Sequence, residues 1–230
     1  MKEVEEQLQW LRVLMHYSDG VLPVGAYAHS MGLEGLVQLG TIHDHQTLRQ
    51  FLLNDVLDAL EHMDLPLIAC AWQACREGDR ERLMELDQLS VALRPARQLR
   101  EAVSKIGRQQ WKIYRDTWDR GSSDWDDFSW KFSQSPVVLG LIFEREGVPL
   151  QGALWSIAYQ TFSALLQSAL KLLPIGPRAN QLLLKEALAA SSGIIANAKG
   201  VRTEQIGTSN PLWDIAAMQH TYSKARMFLS

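Results

Sequence analysis

The strongest candidate for chemistry in this sequence is the short segment at residues 28–32, with the sequence AHSMG. It fits a loosened form of the G-x-S-x-G nucleophile elbow, in which the serine hydroxyl (here Ser30) attacks a carbonyl group. Such an elbow needs a strand in front of the serine and oxyanion donors nearby. Residues 17–25 predict instead a loop with Pro and Gly that follows a helix. A helical hydrolase that uses Ser30 is therefore our second hypothesis, and we assign no catalytic residue.

Two other patterns could suggest a metal or a nucleotide. His43 and His45 flank Asp44, but side chains two positions apart diverge on a helix, and no second pair with ligand spacing follows. We interpret Asp44 as a helix N-cap and assign no metal ligand. Residues 193–200, GIIANAKG, lack the second glycine and the hydroxyl residue of a phosphate-binding loop. With no cofactor indicated, a binding or scaffold role is the default hypothesis.

Length and composition predict one globular domain. The chain has 230 residues, of which 47% are hydrophobic and 21% charged, with a net charge of -3. This charge gives no reason to expect nucleic acid or an anionic membrane as a partner. Cys70 and Cys75 lie five positions apart in a predicted helix and point to different faces, so we expect two buried thiols of a reducing compartment.

No segment predicts secretion or a membrane span. The N-terminal segment is acidic and amphipathic, unlike a signal peptide. The longest uncharged run, residues 152–170, contains serine, threonine and glutamine, which favours a buried helix over a membrane helix. We expect a cytoplasmic protein.

Helical periodicity extends over nearly the whole chain and predicts an all-α, single-domain bundle of about nine to ten helices over residues 1–230. The first helix is expected to bury Val4, Leu8, Leu11 and Met15. Asp64 is predicted to cap a new helix with Pro66 in its first turn, ending at Gly78. Asp79 is expected to cap the next helix. Further helices are predicted from about 94 or 95, from 135 to 147, from 150 to 173, from 177 to about 198, and from 211. Asn210 is expected to cap the last of these helices.

Two stretches predict irregular structure or a charged surface. Residues 119–133 are rich in Gly, Ser and Asp and contain Trp125, Phe128 and Trp130, which predict a local hydrophobic cluster. Residues 94–115 contain seven basic side chains and only Glu101 as an acidic one. They form either a solvated helix face or a docking surface for an acidic partner, and the sequence leaves both open.

Residues 22–34, LPVGAYAHSMGLE, resemble the N-terminal signature of UreF-type urease accessory proteins, P-x-G-[GA]-[FY]-x-x-S-x-G-L-E. Further similarities follow in order at residues 64–67, 96–107 and 170–176. The final one is residues 211–230, with Asp214, His220, Arg226 and Phe228. The resemblance covers almost the whole chain. Two departures are Pro177, where the family usually has Gln, and Thr221, where it usually has Glu.

The resemblance implies a non-catalytic adaptor in urease maturation. In that family the protein dimerises, binds a UreD/UreH-type accessory protein and recruits the GTPase UreG to apo-urease, where GTP hydrolysis is coupled to nickel insertion. Nickel would be handled by the complex, so no cofactor is expected on this chain.

The partner-binding residues implied by the resemblance lie at both ends of the chain. Tyr27 is a rigid amphipathic anchor of the kind enriched at interface hot spots, while Glu34 is expected to be solvated or capping. A flexible tail is expected at about 224–230. The full implied set is Pro23, Gly25, Tyr27, His29, Ser30, Gly32, Glu34, His220, Tyr222, Arg226, Phe228 and Ser230.

Overall fold

The computed structural model describes residues 8–118, 125, 128–220, 222–223 and 225–229. The described residues form nine helices and no strand, in one compact helical domain, so the all-α prediction is confirmed. The helices are α1 (Gln9–Ser18), α2 (Leu33–Gln38), α3 (45–77), α4 (Arg80–Ala92), α5 (Arg97–Thr117), α6 (Ser135–Arg145), α7 (Leu150–Leu172), α8 (Pro177–Ala198) and α9 (Pro211–His220).

Most helix ends follow from local side-chain chemistry. The Asp44 carboxylate accepts the Thr47 amide proton at 2.8 Å and completes a capping box at the start of α3. Asp79 accepts from the Arg82 amide at 3.0 Å and caps α4. The Asn210 side chain accepts from the Trp213 amide at 3.1 Å at the start of α9. These N-caps agree with the sequence prediction.

The predicted helix start at Asp64 is wrong, because α3 runs through it without a break. Asp64 has helical backbone angles, φ −73° and ψ −41°, and a π-helical turn, Leu60–Asp64, ends two residues before Pro66. A proline inside a helix has no N–H and crowds the carbonyl four residues earlier. The wider π turn accommodates that ring, and the freed carbonyl of His62 accepts the amide proton of Gly207 at 2.8 Å. A distant loop therefore provides the hydrogen bond that Pro66 cannot donate.

The core is built around α6, whose residues Ser135 to Phe143 are all buried. A helix that is apolar on every side must be surrounded, and α6 packs most extensively against the last part of α3, Leu65–Glu77, and against α5. The approach to α3 is close at Gly140, where a Cβ would lie 2.7 Å from Ala71 Cβ. Cys70 and Cys75 are free, buried thiols, as expected, and they meet different neighbours. The Cys70 Sγ lies 3.7 Å from the Val201 carbonyl oxygen, and the Cys75 Sγ lies 3.8 Å from the Leu141 carbonyl oxygen on α6.

The first helix buries a different face from the one predicted. Val13 and Tyr17 are buried, and Trp10 and Leu14 pack against the core. The described part of the predicted stripe faces solvent instead: Met15 is 66% exposed, and Leu8 and Leu11 are also exposed. Val4 lies outside the described residues. Both stripes have helical spacing, so the sequence could not distinguish them. The choice is made by α7, whose Gly152 leaves room for Trp10 and Leu14.

The aromatic segment before α6 forms the predicted local cluster in its described part. The ring centroids of Trp125 and Phe128 lie 5.4 Å apart, those of Phe128 and Trp130 4.8 Å, and those of Trp130 and Trp111 5.9 Å. These edge-to-face contacts connect the segment to α5. Within the described helices, none combines the length and apolar character needed to cross a bilayer.

Candidate partner-binding surface

The signature segment, residues 22–34, folds as a series of tight turns in front of α2. Gly25 and Gly32 have positive φ angles of 81° and 88°, and a short 3₁₀ turn, Ala26–Ala28, lies between them. At Gly32 a Cβ would lie 2.6 Å from Trp213 Nε1, so only glycine fits there. The same indole N–H donates to the Met31 carbonyl at 2.7 Å. These contacts bring α9 onto the signature segment.

Glu34 is the residue at which the two ends of the chain meet. Its carboxylate is buried, and Oε2 lies 2.6 Å from His220 Nε2, which is 186 positions away in the sequence. The same carboxylate accepts the amide protons of Met227 at 2.8 Å and of Phe228 at 3.1 Å. One buried carboxylate thus connects α2, the end of α9 and the C-terminal segment, which we define as residues 225–229.

Three further contacts hold the C-terminal segment along α2 and the signature segment. The Gln38 side chain donates to the Ala225 carbonyl at 3.2 Å, and the Leu229 amide donates to the Ala28 carbonyl at 2.8 Å. The Phe228 ring is only 5% exposed, and Lys171 Nζ from α7 lies 5.2 Å from its centroid. The same ammonium lies 6.0 Å from the ring of Tyr27, so Lys171 joins both aromatic residues.

Ser30 lacks the setting of a nucleophile elbow. It is buried, a 3₁₀ turn lies in front of it, and its Oγ accepts the Glu34 amide proton at 3.2 Å at the start of α2. The neighbouring His29 is also buried, and the pKa of its imidazole is lowered by burial and by the charge of Lys105. This geometry favours a helix-capping role for Ser30 over the hydrolase hypothesis.

The predicted site residues divide into an exposed and a buried set. Tyr27 is 72% exposed and Tyr222 is 87% exposed, and Pro23 and Arg226 also face solvent. His29, Ser30, Gly32, Glu34, His220 and Phe228 are buried, and Gly25 is half-buried. Ser230 and Thr221 lie outside the described residues. The structure therefore brings both ends together, while partner binding by any of these residues stays a prediction.

The expectations for Glu34 and for the C-terminal tail have different outcomes. The expected solvation of Glu34 is wrong, because the carboxylate is enclosed by His220 and by the backbone of the C-terminal segment. The described part of the expected flexible tail is hydrogen-bonded at both of its ends, through Ala225 and Leu229. Its flexibility is not tested by these contacts and stays a prediction.

Sequence analysis did not identify Gln38 and Lys171 as parts of this surface. Lys171 falls in one of the stretches that carry the resemblance, but nothing local indicates that it meets Tyr27 and Phe228. The Ala28 carbonyl is a backbone group with no sequence signal. Within the described residues, no group of three or more His, Cys, Asp or Glu side chains could hold a metal ion.

The chain is similar to known proteins over nearly its whole length. A model of the UreF family matches residues 42–188. The urease accessory protein UreF of Kocuria rhizophila is 28% identical over 99% of this chain and 100% of its own length. The urease accessory protein UreF of Paenarthrobacter aurescens is 30% identical over 94% of this chain and 96% of its own length. The bifunctional urease accessory protein UreEF of Bordetella bronchiseptica is 23% identical over 96% of this chain and 52% of its own length.

The fold and the surface define this chain as an all-helical protein whose C-terminal segment packs against an N-terminal series of turns. The family model that matches more than half of the chain, and the relative that is 30% identical, identify the family. The chain belongs to the UreF family.

Proposed function

We propose that this protein is a urease accessory protein, which supports urease maturation as a non-catalytic adaptor. The observation that carries the proposal is the junction at Glu34. Two segments that resemble the family, residues 22–34 and the described part of residues 211–229, are far apart in sequence and form one continuous surface. The full-length similarity to proteins named urease accessory protein UreF supports the same function.

The partners follow from the family resemblance and from the character of the surface. We propose a UreD/UreH-type accessory protein, a UreG-type GTPase and apo-urease as partners, with the chain acting as a homodimer in the cytoplasm. Exposed Tyr27 and Tyr222 are side chains of the type that dominates interface energetics. The fusion in the bifunctional UreEF protein supports association with a second accessory activity. Nickel is then the cargo of the assembly.

The burial of the polar groups at this surface favours a non-enzymatic role. The Ser30 hydroxyl accepts the Glu34 amide proton, and the Glu34 carboxylate contacts His220, so these buried side chains hold the chain segments together. An active site needs reacting groups within reach of a substrate.

Deletion of residues 226–230 tests the adaptor function. We expect the truncated protein to keep its helical circular dichroism spectrum, since the last of the nine described helices ends at His220 and none is removed. Co-purification with a UreD/UreH-type protein and a UreG-type GTPase should be lost. A helical truncated protein that still recruits both partners would contradict this assignment.

Tyr27→Ala tests the exposed part of the surface. Because Tyr27 is 72% exposed, its truncation should change the free energy of unfolding by less than about 1 kcal/mol. Recruitment of the GTPase should weaken about tenfold or more, as for an aromatic hot spot. Met84→Ala on α4, also an exposed apolar residue, is the matched control and should leave recruitment unchanged. Unfolding of Tyr27→Ala would show instead that the residue belongs to the core.

A further inference from the structure

A cavity lies between α5, α7, the start of α9 and the signature segment. Its volume is about 230 Å³. An apolar cavity of about 150 Å³ is already large enough to bind benzene. Exposed residues are among those that line it, including Asp19, Tyr27 and Gln167, so the cavity opens to solvent beside the signature segment. Its size and its opening permit a small ligand to enter.

Most of the cavity wall is apolar. The inward face of α5 contributes Leu99, Val103 and Ile106, which are spaced four and three positions apart and so lie on one side of the helix. Val24 from the signature segment and Ile157 from α7 face the same space. Such an apolar wall favours a ligand with a hydrocarbon group that can pack against it.

The charged groups of the lining are unbalanced. Three are aspartates, Asp19, Asp64 and Asp214, and one is an arginine, Arg94. Arg94 is already committed, because its guanidinium forms an ion pair with Asp64 and donates to the Ser90 carbonyl at 2.8 Å. The wall therefore has a net negative charge.

Asp214 is the carboxylate in this wall that has no hydrogen-bond or ion-pair partner among the described residues. Asp64 is paired with Arg94, and Asp19 accepts the Val21 amide proton at 3.0 Å. No described residue forms an ion pair or a side-chain hydrogen bond with the Asp214 carboxylate, and burial raises its pKa. A cation that binds beside a partly buried carboxylate stabilises its charged form, which burial in an apolar space disfavours.

We propose that this cavity binds a small organic cation whose hydrocarbon body contacts the α5 wall and whose ammonium group contacts Asp214. A neutral apolar molecule would leave Asp214 unpaired, and an anion would be repelled by it. A hard metal ion needs several oxygen ligands, and the described residues provide no group of three or more His, Cys, Asp or Glu side chains that could hold one. The site therefore selects an alkyl- or arylammonium ion.

The test compares benzylammonium with benzyl alcohol, a neutral molecule of nearly the same shape, as probes of the isolated full-length protein. Methyl NMR titrations should show saturable shifts at Val103, Ile106 and Ile157. We expect benzylammonium to bind about tenfold more tightly, the effect of one hydrogen bond to a charged group. Absence of saturable shifts at these methyl groups, or equal affinity for the two probes, would overturn the proposal.

Two variants separate the charge from the cavity. Asp214→Asn should reduce the affinity for benzylammonium to that for benzyl alcohol while leaving the latter unchanged, and Val103→Phe should abolish binding of both. Asp116→Asn, on the exposed end of α5, is the matched control and should retain the preference for the ammonium ion. Circular dichroism checks that each variant folds; if Val103→Phe does not, Ile106→Phe replaces it. Retention of the preference in Asp214→Asn would overturn the role of that carboxylate.

This experiment requires no accessory protein or GTPase. A failure to bind either probe would leave the proposed adaptor function intact. A loss of partner recruitment would likewise leave the cavity proposal intact, so the two proposals fail independently.

Discussion

Two buried carboxylates hold chain segments in this protein, in different settings. Asp87 on α4 accepts three amide protons, from Phe132 at 2.8 Å, Ser133 at 3.2 Å and Gln134 at 2.7 Å. Glu34 on α2 accepts two, from Met227 and Phe228, and also contacts His220. Asp87 fixes a segment that leads directly into the central helix α6, whereas Glu34 fixes residues near the C-terminus.

The two segments differ in how the rest of the chain constrains them. Ser133 has a positive φ of 62°, and its carbonyl approaches α5 so closely that a Cβ at Gly107 would lie 1.9 Å from the oxygen. The segment at Asp87 is therefore enclosed by three helices and cannot leave without opening the core. The C-terminal segment contacts α2, α7 and the signature segment, but of its five residues only Phe228 is buried. We therefore expect this segment to separate while the helices stay packed, so that the same chemistry serves the fold in one region and a detachable surface in the other.

The largest effect should come from Asp87→Ala. Three buried amides would lose a charged acceptor, and we expect the free energy of unfolding to fall by about 3–5 kcal/mol. Urea denaturation followed by circular dichroism measures this loss. Glu85→Ala on the exposed face of the same helix should change stability by less than about 0.5 kcal/mol. A similarly small effect for Asp87→Ala would show that the segment is held by its aromatic contacts instead.

Glu34→Ala should have a smaller effect on stability and a specific effect on the C-terminal segment. We expect a loss of about 1–3 kcal/mol, because the freed amides can reach water once the segment lifts away. Hydrogen exchange at Met227 and Phe228 should become much faster, while exchange in α6 changes little. Asp87→Ala is the converse control and should leave exchange at these two amides slow under folding conditions. Slow exchange in Glu34→Ala would contradict the detachable character of the segment.

The smallest expected effect is a change with pH in the contribution of Asp87 to the free energy of unfolding. Burial raises the pKa of its carboxyl in the folded protein, and the three amide hydrogen bonds oppose that shift only in part. The folded state then binds the proton more tightly than the unfolded state. The Asp87 contribution to stability is therefore greatest below the unfolded pKa of about 3.9 and falls as pH rises through the raised pKa. The stability difference between the wild-type protein and Asp87→Asn should shrink over that window in urea titrations. A difference that grows with pH would mean that the amides dominate.

Elements controlled by neighbouring residues could be predicted from the sequence. The caps at Asp44, Asp79 and Asn210 were correct because an N-cap involves atoms only two or three residues apart. Gly78, with φ 72°, ends α3 as expected. The predicted site at the two chain ends rested on the resemblance to the family, and partner binding by its exposed members, including Tyr27, stays a prediction.

The predictions were wrong where contacts with a distant part of the chain decided between two conformations or faces that the local sequence allows. The exposed stripe with Met15 and the buried stripe with Val13 both have helical spacing, and packing against α7 selects the second. Pro66 normally marks a helix start, but the π turn before it and the hydrogen bond from Gly207 to His62 permit a continuous helix. The residues near Pro66 indicate neither the π turn nor the hydrogen bond from Gly207.

The sequence by itself determined the helical class, the positions of most caps and the family, because each depends on periodicity or on short ordered patterns. Only the tertiary structure decided that Glu34 and His220 form a buried contact across 186 positions, and that Lys171 meets Tyr27 and Phe228. It also placed the partly buried Asp214 beside an apolar cavity. The physical reason is that burial, and therefore the strength of a carboxylate's interactions, depends on which elements pack around it.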